Sequence, residues 1–233
     1  MMIATPSPTQ RNNAIFDAFP AEARSFLASR LLTKAIMSGE VLHEPGAPLI
    51  HVIFPHSGII SLQGMLSDGR TVECVSVGND GLLGVEHFLG EKVFLHHAVV
   101  TISGSASWLP VTDLGAALSQ FTPISDVMQR CSLKRMRESM QTAVCASVHS
   151  ASQRVATWLL RALDRTGSSH LELTQRTLAN VFGLRLATIS DACGRLNGAG
   201  AIDQGRGTLT IIDPAKLREL SCECYEYHTK PAT

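Results

Sequence analysis

The chain has 233 residues, with 20 Lys+Arg balanced by 20 Asp+Glu and 45% hydrophobic residues. That length suits two domains, and that apolar content excludes wholesale disorder. Zero formal net charge argues against a protein that coats nucleic acid by bulk electrostatics. No apolar run reaches the ~18 to 20 residues of a bilayer-spanning helix. Residues 1–13 are polar and rich in Pro, Ser, Thr and Gln, without the apolar core of a secretory signal, so a cytoplasmic protein with no membrane partner is expected.

A short helical opening over residues 13–30 gives way to β-branched runs at 49–54, 58–62, 71–77 and 98–102. Turn signals separate them: Pro45-Gly46, Asp68-Gly69 and the stretch from Gly78 to Gly81. Many short strands at close spacing predict an antiparallel roll or barrel, whose interior is a natural small-molecule cavity. The six cysteines Cys74, Cys131, Cys145, Cys193, Cys222 and Cys224 form no Cys-x-x-Cys pair and read as reduced thiols.

From residue 125 to 149 the period becomes helical, with Cys131, Leu133, Met136, Met140, Ala143 or Val144, and Val148 recurring every three or four positions. Arg130, Lys134, Arg135, Arg137 and Glu138 flank this narrow stripe, as in a coiled-coil seam. The stripe either packs on the chain's own β-domain or meets a second copy. Its position between two domains favours the second, with Leu133, Met136, Met140 and Val144 as the dimer interface. A further helix over 152–164 carries Val155, Trp158, Leu159 and Ala162 on one face and is broken at 167–170.

Residues 173–196 read as two short helices around a tight turn. Thr174 caps the first, Leu178, Val181 and Phe182 are its buried positions, and Gly183 supplies a positive φ at the turn. Ala179 lets the second helix cross closely, and Ile189 packs it back on the first. An ordinary helical hairpin would share these features. The continuation separates the two readings: Ala201-Ile202, Gly205-Arg206-Gly207 and Leu209–Ile211 form a wing, with Arg206 at its tip. Asp213 and Pro214 open a last helix running to Tyr225. Cys222 and Cys224 suit a metal, a redox pair or structural thiols; on a helix, i and i+2 point to different sides, so structural thiols and no metal are expected. Residues 153–219 hold nine Arg/Lys against six Asp/Glu, a mildly basic segment.

β-roll, long helix and winged helix-turn-helix in this order resemble the Crp/Fnr family of bacterial regulators over almost the whole chain. The resemblance is closest to a branch ending in Cys-Glu-Cys-Tyr, as residues 222–225 do, and extends to the text of residues 40–46 and 51–58. It implies an α+β protein with a sensor β-roll at 13–123, a dimerisation helix at 124–150 and a DNA-binding domain at 151–228. It also implies a homodimer on two-fold symmetric promoter DNA, with RNA polymerase and a small-molecule effector as further partners. The DNA-contact set it implies is Thr174, Gln175, Arg185, Leu186, Ala187, Thr188, Ser190, Asp191, Arg195 and Arg206. Arg185, Thr188 and Ser190 match the branch's pattern; Leu186 replaces its usual arginine, and Asp191 stands where cyclic-AMP-type members carry an arginine.

The effector pocket departs further. Cyclic-nucleotide binders carry Gly-Glu and Arg-Ser where this chain has Gly84-Val85 and His96-His97. The carboxylate and the bidentate guanidinium are gone, which excludes ordinary cyclic AMP binding. Adjacent histidines on a strand face opposite ways, so His96 and His97 do not form one metal or haem site. No cysteine precedes Cys74, so the iron-sulfur cluster of oxygen-sensing members is not expected, nor is any other cofactor. A sensor acting by protein contact, with DNA recognition lost, is the alternative. An enzyme lacks support, since no nucleophile elbow, phosphate loop or zinc helix is present.

Overall fold

In the computed structural model, which describes residues 13–229, two short helices open the chain, α1 Ala14–Asp17 and α2 Ala21–Ala28. The polar stretch ahead of Asn13 lies outside the described residues. Asn13 caps α1 by accepting from the amides of Ile15 and Phe16. Its side-chain amide donates to the carbonyls of Pro55 and Gly81, which ties the helices to the sheet.

Five strands follow, β1 Leu32–Ile36, β2 Val41–His43, β3 His51–Met65, β4 Thr71–Val77 and β5 His97–Pro110, with the short helix α3 Val85–Phe88 between β4 and β5. All pairings are antiparallel, in the order β1-β5-β3-β4 with β2 also on β5. The two runs expected at 49–54 and 58–62 are one strand, because glycines let the ladder slip without ending. Gly58 has φ +80°, and a Cβ there would fall 2.5 Å from the Ile102 carbonyl oxygen; on β5, a Cβ at Gly104 would fall 2.2 Å from that of Ser57. The register shifts at this crossing, so β3 and β5 bend rather than break.

Alternation along β3 builds two layers. Val52 and Phe54 face a helical layer with Phe19, Leu27, Leu114 and Met128. Ile53 and Ile60 face the roll's interior with Ile36, Val100, Ala106 and Trp108. Apolar side chains therefore fill the interior positions expected to line a ligand cavity.

α4 spans Val111–Gln120 and α5 Pro123–Val148. The first turns of α5 bury Ile124, Val127, Met128 and Cys131, so Cys131 belongs to the face packed on the roll and not to the stripe expected to carry it. Further along, Leu133, Met136, Met140, Val144 and Val148 stand 49–67% exposed. α6, Ala151–Thr166, starts at a capping box formed by Ser150 and Gln153 and ends at Gly167 in the left-handed region. Among the described residues no helix is long and apolar enough to cross a membrane.

The C-terminal part comprises β6 His170–Leu171, α7 Gln175–Phe182, α8 Leu186–Gly198, β7 Ile202–Gln204, β8 Leu209–Ile211, α9 Pro214–Glu219 and α10 Cys224–Thr229. The wing hairpin is completed by β6 into a sheet ordered β6-β8-β7. The single last helix expected to run to Tyr225 is two helices. The Cys222 amide donates to the Thr157 hydroxyl, and the Ser221 hydroxyl to the Arg218 carbonyl, so the chain turns between α9 and α10. Cys222 lies in that turn, and the helical geometry invoked to separate Cys222 from Cys224 does not apply.

Candidate nucleic-acid interface

The helix-turn-helix rests on α7. Thr174 accepts from the Thr177 amide at 3.0 Å, and Gly183 closes the helix at φ +62°. A Cβ on Gly183 would also sit 2.4 Å from Val72 Cγ2 of β4. Both the turn and this contact with the roll therefore require glycine. Ile189, Ala192, Cys193 and Leu196 bury one face of α8 against Leu178, Ala179 and Val181. Phe182, expected in the core, is half-buried with the Arg154 guanidinium 5.2 Å from its ring centroid.

The opposite face of α8 presents Ala187, Thr188, Ser190, Asp191 and Arg195 to solvent, with Leu186 41% exposed and Arg185 exposed at the N-cap. Thr174 is exposed, its hydroxyl 2.8 Å from that of Thr177. Gln175 is half-buried because its amide donates to Gln204 of β7, joining α7 to the wing. Gly205 donates to the Thr208 carbonyl at 3.0 Å, closing a tight turn with Arg206 exposed at its tip.

Two of the nine basic residues in this segment face inward. Arg165 Nε lies 2.9 Å from Asp80 Oδ1 and its Nη2 lies 3.4 Å from Glu138, while Arg161 Nη2 is 3.4 Å from Glu138. Lys134 adds a 2.7 Å contact to Asp80. Burial alone would push the Asp80 carboxyl up, but Arg165 and Lys134 outweigh it and hold Asp80 well below the usual carboxylate range. Trp158 Nε1 donates to Glu73 of β4 at 3.1 Å, and burial pushes the Glu73 carboxyl up. These contacts bind α6 to the roll and to α5, and they leave the outer surface of the winged domain closer to neutral than its composition suggests.

The four residues proposed from sequence as an effector pocket lie apart in role. Val85 is buried in the helical layer, Gly84 caps α3 at φ +85°, and His96 precedes β5. His97 Nδ1 lies 2.6 Å from Glu44. Of the four, His97 alone lines a groove of about 750 Å³ between the roll and the helix-turn-helix, together with Arg70, Thr71, Thr177, Asn180 and Arg185. Sequence reading also missed a side-chain cluster, Cys145, His149, Cys222 and Cys224; the i, i+4 spacing of Cys145 and His149 was the available signal.

The chain therefore joins a β-roll through a long helix to a winged helix-turn-helix. Residues 153–220 match the Crp-like helix-turn-helix domain. Among solved structures, FixK2 from Bradyrhizobium japonicum is 19% identical with a TM-score of 0.70, over 82% of this chain and 98% of that one. A putative transcriptional regulator of the crp/fnr family from Eubacterium rectale is 16% identical with a TM-score of 0.65, over 89% and 97%. The c-di-GMP-responsive global regulator CLP from Xanthomonas campestris is 15% identical with a TM-score of 0.64, over 82% and 99%. No curated protein sequence matches the chain. The fold is that of the solved Crp/Fnr-family regulators, and residues 153–220 form a Crp-like helix-turn-helix domain. The narrower kinship with members ending in Cys-Glu-Cys-Tyr is not confirmed.

Proposed function

We propose that the protein is a sequence-specific regulator that binds two-fold symmetric promoter DNA as a homodimer in the cytoplasm. α5 forms the interface through Leu133, Met136, Met140 and Val144, α8 enters the major groove of each half-site, and Arg206 meets a backbone phosphate. One observation carries the reading: the outward face of α8 is built from Ala187, Thr188, Ser190, Asp191 and Arg195, all exposed, while its other face is locked into the core. Small and polar side chains on a rigid helix let it approach base edges closely. Arg185 and Leu186 begin the helix, where a side chain reaches a base or an adjacent phosphate. A small-molecule effector, other than cyclic AMP, and RNA polymerase complete the proposed partners.

Genome-wide mapping of bound sites, followed by affinity measurements over a salt series, tests the proposal. A recurrent inverted-repeat site and a steep loss of affinity with rising salt are expected. Absence of any enriched site together with salt-insensitive binding would leave the sensor that acts by protein contact as the better account.

A further inference from the structure

Cys145 occupies the last turn of α5 and His149 is the residue that caps it, so one helix end offers two ligand atoms from positions i and i+4. Cys222 arrives from the turn between α9 and α10 and Cys224 from the first position of α10, more than seventy positions later in the chain. The three sulfurs and the imidazole nitrogen lie within 4.8 Å of one another. Cys145 Sγ is 3.6 Å from Cys222 Sγ, and Cys224 Sγ is 3.5 Å from His149 Nδ1. Around a tetrahedral zinc, with Zn–S of about 2.3 Å and Zn–N of about 2.0 Å, such pairs are about 3.8 Å and about 3.5 Å apart. Two of the six ligand pairs thus already stand close to an edge of the tetrahedron, and the other four lie within 4.8 Å. An iron-sulfur cluster spreads its ligands over several irons, which a set this compact does not do.

The surroundings match a metal site as well. His149 turns Nδ1 to the cluster and places Nε2 3.1 Å from the Glu223 carboxylate, the arrangement that orients a metal-bound imidazole and raises its basicity. Gln141 Nε2 donates to Cys224 Sγ at 3.0 Å. The Thr157 hydroxyl lies 3.1 Å from Cys222 Sγ, and because it already accepts from the Cys222 amide, its own hydrogen is free for the sulfur. Cys222 and Cys224 are buried. Arg154 lines a small cavity with Cys145 and Cys224, a cation beside what would be a site of net charge −1.

We infer that Cys145, His149, Cys222 and Cys224 form a mononuclear Cys3His zinc site that clasps the C-terminal segment to the end of the long helix. Three thiols lose their protons to solvent as Zn2+ binds, and the metal closes a cross-link between α5 and the α9–α10 turn beside the joint from which α6 departs. The site does not depend on the DNA-binding reading.

The full-length chain, purified reduced and without oxygen, stripped by chelation and titrated with Co2+, tests it. One equivalent of cobalt is expected to give the intense visible bands of tetrahedral coordination with a thiolate charge-transfer band, and Zn2+ is expected to displace it. Cys145→Ser and Cys222→Ser should each weaken Co2+ binding at least tenfold, Glu223→Gln by about tenfold with the spectrum kept, and Cys74→Ser, outside the cluster, not at all. Zn2+ added to the stripped wild type should raise its Tm, a readout that needs no variant to fold. The inference is overturned if the wild type shows neither tetrahedral cobalt bands nor a Tm rise, if the bands survive both serine substitutions, or if the chain prepared reduced carries a Cys145–Cys222 disulfide.

Discussion

Charge placed on the exposed face of α5 should break the proposed dimer. Leu133, Met136, Met140, Val144 and Val148 are each about half exposed (49–67%). Full burial of such a side chain is worth about 1.5 to 3 kcal/mol, so covering the exposed half contributes about 1 kcal/mol each. Ten such side chains across two helices supply on the order of 10 kcal/mol. That is comparable with the ~4 to 15 kcal/mol cost of association, so the interface has little surplus. Met136→Glu/Met140→Glu removes four of the ten contacts per dimer and places four carboxylates at a seam where each costs several kcal/mol to desolvate. The four lost contacts alone remove about 4 kcal/mol, so the dissociation constant should rise at least about a thousandfold over that of the wild type. Sedimentation velocity over a micromolar concentration series reads this directly, with circular dichroism to show that the variant stays folded. A variant that sediments as the same stable dimer would refute the assignment of this stripe to the two-fold interface.

The two arginines of the winged domain should divide their labour. Arg185→Ala should cost about 1 to 3 kcal/mol on the best site, with less loss on random DNA, if the contact is bidentate to guanine; Arg206→Ala should weaken both duplexes alike and shallow the salt slope by about one unit. Fluorescence titrations on specific and random duplexes give both quantities, and unchanged affinities would move the DNA-binding surface elsewhere. Cyclic AMP should show no calorimetric binding at micromolar concentrations, since Val85 is buried among apolar side chains and His96 offers no guanidinium; a micromolar constant, roughly 8 kcal/mol of binding free energy, contradicts this. Burial and then the nearby His51 charge lower His43 to about 4, and its ring stacks 3.5 Å from that of Phe94. Because the folded state holds His43 neutral, the stability it contributes is present above pH 6.5 and is lost as pH falls towards 4. After discounting for its partial exposure this amounts to about 1 to 2 kcal/mol. Urea unfolding at pH 7 and pH 4.5 should show His43→Phe losing less stability than the wild type over that interval, and equal losses would count against the account.

The elements with strong local signals were legible in the sequence alone. Gly183 marks the turn of the helix-turn-helix, Thr174 and Asp213 mark helix starts, and the Leu133/Met136/Met140/Val144 spacing marks an apolar face left without a partner inside the chain. These depend on backbone geometry and on a period of 3.6 or 2, which neighbouring residues settle among themselves. What only the tertiary structure decided depends on groups distant in the chain. The bend of β3 requires Gly58 and Gly104 to pass each other on paired strands. Arg161 and Arg165 look like surface charges until Asp80 and Glu138 are seen to hold them inside the fold. Cys222 leaves the helix because its amide is taken by Thr157, 65 positions away. That one long-range hydrogen bond helps set Cys222 beside Cys145, a juxtaposition that no local pattern in the sequence encodes.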